Sequence, residues 1–421
     1  MPPSGDWPRV SVVDVCESIV DCVNKTAPVV DQPTPYKMIR TTNVRDGWVD
    51  LSSVRFVDEV TFEKWTRRQR PKRGDVILTR EAPLGEVGLL RSDENIFLGQ
   101  RLVAYRADPR KLDNRFLLYA MLGEDMQGQI RSMGSGATVE HMRVPDCEKL
   151  TLRLPPLEVQ RRIASIPSAY DDLIENNTRR IAILEEMARR IYEEWFVRFR
   201  FPGHERVRMV ESESGLVPEG WRVTALGDVA AYINRGLAPK YDDTAACIVI
   251  NQKCIRGQRL SLGEARKQDR PVPAEKVVRL GDVLINSTGV GTLGRVAQVL
   301  EEIDNCTVDT HVSIVRPGKD CDPDYFGLTL LARQAHFEAQ GVGSTGQTEL
   351  SRGRIAETSI VVPPLAVQQA FAALVRPMRR LTVTLQTKNL NLRVTRNLLL
   401  PKLISGELDV SMMPEPEALA A

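Results

Sequence analysis

The chain has 421 residues, 42 % of them hydrophobic and 27 % charged, which is enough to bury ordinary cores and, at this length, to build two or three domains. The formal net charge is only +2, so the distribution of charge along the chain says more about partners than the sum does. No apolar stretch approaches the roughly 18 residues that span a bilayer, and the opening MPPSGDWPRV lacks the basic-then-apolar layout of a secretion signal, so a soluble cytoplasmic protein is expected.

Seven cysteines (Cys16, Cys22, Cys147, Cys247, Cys254, Cys306 and Cys321) are scattered without a C-x-x-C pair. Zinc ribbons and redox motifs therefore find no support, and reduced thiols are expected.

Taken in chain order, the first marked segment is KWTRRQRPKR at Lys64 to Arg73, six cations around Trp65 without a carboxylate. Such a run can neutralise several phosphates; taken alone, it also fits a solvated, mobile loop. A strand-like run follows at Gly74-Asp75-Val76-Ile77-Leu78, then LVAYRADPRKLDNRFLLYAML with a short predicted helix from Asn114 to Gly123. GSGAT comes next at Gly134 to Thr138, and then PPLEVQ at Pro155 to Gln160. The same landmarks recur in the same order: Gly281-Asp282-Val283-Leu284-Ile285, VSIVRPGKDCDPDYFGLTLLA with a short helix predicted from Pro323 to Gln334, GSTGQT at Gly343 to Thr348, and PPLAVQ at Pro363 to Gln368. One repeated hexapeptide would mean little, but several landmarks in register mean an internal duplication.

Each half alternates short β-branched runs (VILT, LVAY; CIVIN, DVLIN, HVSIV) with Gly, Pro, Asn and Asp turns, the pattern of a mixed α/β module of about 150 residues. A long helix follows each module, opened by a proline pair and stopped near Pro202-Gly203 and Gly406. The expected organisation is a recognition module over 1–154, a helical spacer over 155–203, a second module over 204–362, a second helical spacer over 363–410 and a flexible tail over 411–421.

In the first helix Ile163, Ile166, Tyr170, Leu173, Leu184, Met187 and Ile191 fall on alternating three and four spacings. Phe371, Leu374, Met378, Leu381, Leu385, Leu392 and Leu399 take the same frame in the second, the a/d seams of a coiled coil. Asn177 and Arg180 interrupt the first seam, Lys388 and Thr395 the second. Pro167 and Pro377 should kink or restart their helices. Some 40 residues make a rod of roughly 60 Å, and antiparallel pairing of the duplicates would relate the modules by an approximate two-fold axis. A protein so built would read two unlike DNA half-sites about one helical turn or a fraction apart.

The two PPL-x-x-Q helix openings carry a family resemblance. So do Glu194-Trp195-Phe196-Val197-Arg198-Phe199 at the first helix end, Val217-Pro218-Glu219-Gly220-Trp221 with Leu226-Gly227-Asp228-Val229 at the second module's opening, and Leu400-Pro401-Lys402-Leu403-Ile404-Ser405-Gly406-Glu407. Over nearly the whole chain these residues resemble the specificity (S) subunit of type I restriction-modification systems. The resemblance implies two target-recognition domains separated by two conserved helical regions, each domain reading one part of an interrupted DNA sequence. It implies that two methyltransferase (M) subunits dock on the helices and that two restriction (R) subunits, with nuclease and ATP-driven translocase activity, join them. S-adenosylmethionine, ATP and magnesium are then expected on the partners and no cofactor on this chain.

The residues agree that chemistry lies elsewhere. No Asn/Asp-Pro-Pro-aromatic methyltransferase motif occurs, and the nearest approach to a P-loop, Gly289 to Gly294, runs into Arg295-Val296 where lysine and a hydroxyl are needed. His141, His204, His311 and His336 stand on separate segments, away from metal-ligand spacing, and no G-x-S-x-G elbow is present. A non-catalytic, DNA-binding chain is expected. The alternatives are a coiled-coil scaffold of another defence complex without sequence readout, and a stand-alone methyltransferase or nuclease.

Base readout falls to side chains on loops that reach a groove edge. The candidates are Arg45, Arg67, Arg68, Arg70 and Lys72 in the first module, and Arg235, Lys240, Lys253, Arg256 and Arg259 in the second, with Gln347 in the recurring Gly-rich turn. Each taken singly is an ordinary solvated charge; the set is what points to DNA. Trp195 and Phe196 either pack in a core or, if exposed, supply a partner-binding anchor for a methyltransferase subunit.

Overall fold

The computed structural model describes residues 7–136, 140–213, 215–341 and 349–410. Their chain divides into two compact units, Met1–Glu175 with Asn389–Ala421 (unit 1) and Asn176–Lys388 (unit 2).

In unit 1 a six-stranded sheet runs in the order Cys16–Asp21, Leu102–Ala107, Val76–Arg80, Leu84–Leu89, Gly47–Val49, Val44–Arg45. A three-stranded sheet places Tyr36–Ile39 between Arg55–Val57, antiparallel, and Asn95–Leu98, parallel. Unit 2 repeats the plan with Ala230–Arg235, Val312–Pro317, Val283–Asn286 and Val296–Gln298 in one sheet. Its three-stranded sheet has Cys247–Ile250 between antiparallel Arg266–Gln268 and parallel Cys306–Val308. Both units are mixed α/β, and the duplication read from the sequence is a duplication of topology.

The repeated motifs are structural. Asp75 and Asp282, from the two Gly-Asp landmarks, are buried, and each accepts a two-pronged pair of bonds from an arginine on the neighbouring strand. Arg106 reaches Asp75 at 2.8 and 2.8 Å, and Arg316 reaches Asp282 at 2.8 and 2.8 Å. Paired forks of this kind offset the desolvation that burying a carboxylate costs. The glutamine of PPL-x-x-Q has an equally specific duty. Gln160 accepts from the Asp113 amide at 2.9 Å and donates to the carbonyls of Lys111 and Pro155. Gln368 accepts from the Asp322 amide at 2.9 Å and donates to the carbonyls of Asp320 and Pro363. Asp113 and Asp322 in turn cap the short helices Asn114–Leu122 and Pro323–Ala332, so each glutamine ties the start of a long helix to the start of a short one.

The first long helix spans Leu157–Tyr192 and ends in a wider turn, Glu193–Val197, where the Arg198 amide bonds to the Glu193 carbonyl. The second spans Leu365–Ser405 and stops at Gly406, whose φ of 76° is the left-handed conformation that glycine adopts without a steric cost. Both helices continue through their prolines, Pro167 and Pro377.

The helices pair antiparallel within each unit. In unit 1 Asn389 donates to the Ile174 carbonyl and Arg396 to Asp171; in unit 2 Phe371 packs on Tyr192, Trp195 and Phe196. The predicted seam needs correcting in one of its two positions. Ile163, Ile166, Tyr170, Leu184, Ile191, Phe371, Met378, Leu385, Leu392 and Leu399 are buried or half-buried, but Leu173, Met187, Leu374 and Leu381 are exposed. The second buried row lies one residue later, at Pro167, Ile174, Ile181, Ala188 and Trp195 and at Val375, Thr382, Asn389, Arg396 and Leu403. Lys388 and Thr395, predicted in the seam, are exposed; Asn389 and Arg396 take those places. Apolar character chose the wrong row because three of its five buried members in the second helix are polar.

Candidate nucleic-acid interface

Arg45 and Arg256 stand at matching places. In unit 1 Val44–Arg45 and Gly47–Val49 form a hairpin in which Arg45 lies opposite Trp48; in unit 2 Ile255–Arg256 and Arg259–Leu260 form one in which Arg256 lies opposite Arg259. Both turn residues have positive φ in each hairpin, Asp46 and Gly47 at 51° and 91° and Gly257 and Gln258 at 57° and 60°, the tight turn whose twist matches paired strands. Arg45 and Arg256 are exposed. Glu86 lies 3.8 Å from Arg45, and Arg256 has no ion-pair partner among the described residues.

The basic run of unit 1 is more ordered than a loose loop. Its first two residues, Lys64 and Trp65, end the helix Glu59–Trp65, and its other end is held where the Arg70 carbonyl accepts from Arg106 and the Lys72 amide donates to Asp75. Three of its cations find carboxylates from outside the run: Arg68 pairs with Asp21, Arg70 with Glu63, and Arg73 with Asp93 at 3.0 Å. Exposed pairs of this kind contribute about 0–1 kcal/mol and are readily exchanged for a phosphate. Arg67 and Lys72 are exposed with no ion pair among the described residues.

In unit 2 the candidates divide. Arg235 is partly buried, paired with Glu349 at 2.6 Å and bonded to the Leu350 carbonyl, which makes it a brace of the fold. Arg259 is held by Glu185 of the first long helix. Lys240 is exposed, with Asp269 at 3.7 Å. Lys253 is exposed on the rim of an open cleft of about 430 Å³ whose lining includes Tyr241, Asn251, Arg266, Asp309 and His311. Arg266 stacks on the Tyr241 ring at 3.6 Å, and His311 is bonded to Thr288 at 2.6 Å. Burial raises the pKa of Asp309 above the usual carboxylate value, against the pull of its bond from the His311 amide. The cleft is polar and mixed in charge, lined by the donors and acceptors that groove edges require. The sequence singled out Lys253 but not the cleft, because its lining comes from four separate stretches of chain. Gln347 lies outside the described residues, as does the whole Gly343 to Thr348 turn.

Trp195 and Phe196 are inside. Both are under one-tenth exposed, in a cluster with Tyr192, Phe201, Trp221, Tyr325 and Phe371. The core reading of this pair is the one the structure takes, and the exposed-anchor reading is corrected: their rings join helix to module within unit 2. Exposed apolar residues are found instead elsewhere on the long helices, among them Leu173, Ile183 and Met187 in the first and Leu390, Val394 and Leu398 in the second.

Among the described residues no group of three or more His, Cys, Asp or Glu could hold a metal ion. The cysteines are free, and burial pushes the Cys16 and Cys306 thiols up to about 12 and the Cys147 and Cys321 thiols to about 11, which leaves them protonated and inert. No helix among the described residues is long and apolar enough to cross a membrane.

Residues 5–186 and 218–396 each match the model of the type I restriction modification DNA specificity domain. The chain is 25 % identical over 366 residues to the type I restriction enzyme MjaIX specificity subunit of Methanocaldococcus jannaschii, covering 85 % of this chain and 82 % of that one. It is 25 % identical over 158 residues to the type I restriction enzyme EcoBI specificity subunit of Escherichia coli, covering 37 % and 33 %. Its fold is similar to that of the type I restriction-modification S subunit from M. genitalium, with a TM-score of 0.58 at 16 % identity over 96 % of this chain and 99 % of that one. With one domain model matched twice, on the two halves that the repeated motifs and the repeated topology delimit, the chain belongs to the type I restriction-modification DNA specificity family.

Proposed function

We propose that this chain is the non-catalytic, sequence-reading subunit of a type I restriction-modification complex, in which each module reads one half of an interrupted, asymmetric DNA site. The observation that carries this reading is the contrast between frame and surface. The Asp75–Arg106 and Asp282–Arg316 forks and the Gln160 and Gln368 ties are the same in both modules, while the side chains around the exposed edges differ. Two copies of one scaffold with unlike surfaces suit two unlike half-sites. Arg67, Lys72, Lys253 and Arg256 are the favoured DNA contacts, since their charge is not already matched by a carboxylate.

The long helices carry the partners. Leu390, Val394 and Leu398, at i, i+4 and i+8, leave an apolar stripe in water, which suits docking of a methyltransferase subunit on a helix face. Two methyltransferase and two restriction subunits would complete the assembly in the cytoplasm, bringing S-adenosylmethionine, ATP and magnesium with them.

The test is co-expression with the methyltransferase encoded beside this chain, followed by mapping of modified bases across the host genome. The expected result is methylation at one interrupted motif with unlike halves, and exchange of residues 1–154 for those of a relative should change one half only. Assembly with no methylation, or with methylation indifferent to sequence, would overturn the reading in favour of a scaffold.

A further inference from the structure

Of the ten candidate cations, only Arg45 and Arg256 occupy equivalent places in the two modules. Each ends the first strand of a two-residue hairpin, and each hairpin follows a short 3-10 turn, Thr41–Asn43 and Gln252–Cys254. The sequences around them have diverged: TTNVRDGW became QKCIRGQR, so that the arginine and the turn geometry persist while the side chains beside them changed.

Within the fold a single carboxylate at 3.8 Å faces Arg45, and none faces Arg256 among the described residues. Arg45 has 70 % of its side chain exposed. Its nearest carboxylate, Glu86, accepts from the Asp46 amide, and the equivalent of Glu86 in unit 2 is Arg295, which donates to the Gly291 carbonyl. Arg256 therefore has a cation, not a carboxylate, at the place corresponding to Glu86.

The opposite side of each hairpin is braced. Trp48, across from Arg45, lies under the Arg91 guanidinium at 3.7 Å, and Arg91 is 3.6 Å from Asp172 and 3.5 Å from Glu175 of the first long helix. Arg259, across from Arg256, bonds to Glu185 of the same helix at 2.7 Å. Each module thus holds an arginine in water on a hairpin fixed to a helix. A held donor loses less freedom on binding than one on a mobile loop.

What two diverged readers of unlike sequences still have in common is the phosphate backbone. We infer that Arg45 and Arg256 are the matched, sequence-independent phosphate contacts of the two modules, setting each module's register on the duplex while other residues read the bases. This rests on the DNA-reading function proposed above.

The test uses the complex of the full chain with its methyltransferase subunits, and a random-sequence duplex as probe. Binding is measured over a salt series for the wild type, R45A, R256A, the double variant, R45K and R256K. Each alanine should lower the slope of log affinity against log salt by about 0.9, the value for one phosphate contact, and the double variant should lose both. The lysine variants should keep the slope. The mapped methylation motif should be unchanged in all of them. An unchanged slope in a folded, assembled variant overturns the inference, as does a motif altered in one half, which would make the arginine a base contact. Failure of the variants to retain methyltransferase subunits also overturns it, assigning the arginines to the partner. A wild-type complex that methylates no defined motif would refute the function itself, a result independent of the slope on random DNA.

Discussion

Arg396 and Asp171, 225 positions apart in the chain, meet in the interior of unit 1, the arginine on the second long helix donating to the carboxylate on the first. Asp171 also accepts from the Tyr119 hydroxyl at 2.6 Å, and Arg91 stands 3.7 Å away. The pair joins both long helices and, through Tyr119, the short helix Asn114–Leu122 of the first module.

Removing one member should strand the other. Asp171 is fully buried, and a buried charge without its partner costs about 3–5 kcal/mol. R396M and D171L are each expected to destabilise unit 1 by that order. The double variant should recover most of it, since the Tyr119 hydroxyl keeps Ser168, 3.3 Å away, as a partner. Urea denaturation followed in all four backgrounds measures the coupling; simple additivity of the two single losses would show that the pair does not hold the helices together.

Gln160 and Gln368 allow a matched experiment in the two units. Alanine at either position leaves an amide and two carbonyls without their partner, and groups so stranded cost about 1–3 kcal/mol each where water cannot reach them. Q160A should expose the Asp113 amide to hydrogen exchange and leave Asp322 protected, and Q368A should do the reverse. Equal exchange at both amides in either variant would mean that the glutamine does not pin the helix start.

The repeat that named the family was legible because these duties need particular side chains, which both halves keep although the partners lie dozens of positions away. A Gly-Asp opening and a glutamine at the helix start recur since only those residues make those bonds. The helix seam was legible in one row and misread in the other. Leucines at 374 and 381 satisfied the apolar pattern, while the buried row one residue later holds Thr382, Asn389 and Arg396. Polar residues whose partners are distant in sequence look like surface until the fold supplies those partners. The cleft behind Lys253 was hidden for a similar reason, its walls being brought together from 241, 251–253, 263–266 and 309–311. Of the three carboxylates that partly neutralise the basic run, Glu63 directly precedes it, while Asp21 and Asp93 are brought to it by the fold.

Asp146 gives a pH dependence of known sign. Its bonds from Arg143, at 2.8 and 3.2 Å, and then from Lys149, at 2.8 Å, pull its pKa down to about 2. A carboxylate held below its unfolded value, near 3.9, stabilises the folded state at neutral pH and loses that contribution as pH falls through the interval from about 4 to about 2. The stability difference between wild type and D146N should therefore be constant from pH 5 to 7, within roughly the interval where carboxylates stay ionised, and shrink below about pH 4. A difference that persists undiminished at low pH would assign the effect of the substitution to shape and not to charge.

Other exposed apolar residues of the second long helix, outside the predicted seam, lead to the last prediction. Leu390, Val394 and Leu398 are 60 %, 58 % and 69 % exposed, at spacings that put them on one side of the second long helix. An aligned stripe of this kind costs nothing to the fold when it is made polar, unlike the buried row at Asn389, Arg396 and Leu403 beside it. L390D, V394D and L398D should leave thermal stability within about 0.5 kcal/mol of wild type, as surface changes usually do. If the stripe docks a methyltransferase subunit, each should weaken co-purification of that subunit, with the central V394D weakening it most. Binding of the variants to random duplex should be unaffected, because the stripe carries no charge for phosphate. Co-purification at wild-type yield by the triple variant would remove this face from the interface and return the search to Leu173, Ile183 and Met187 on the first helix.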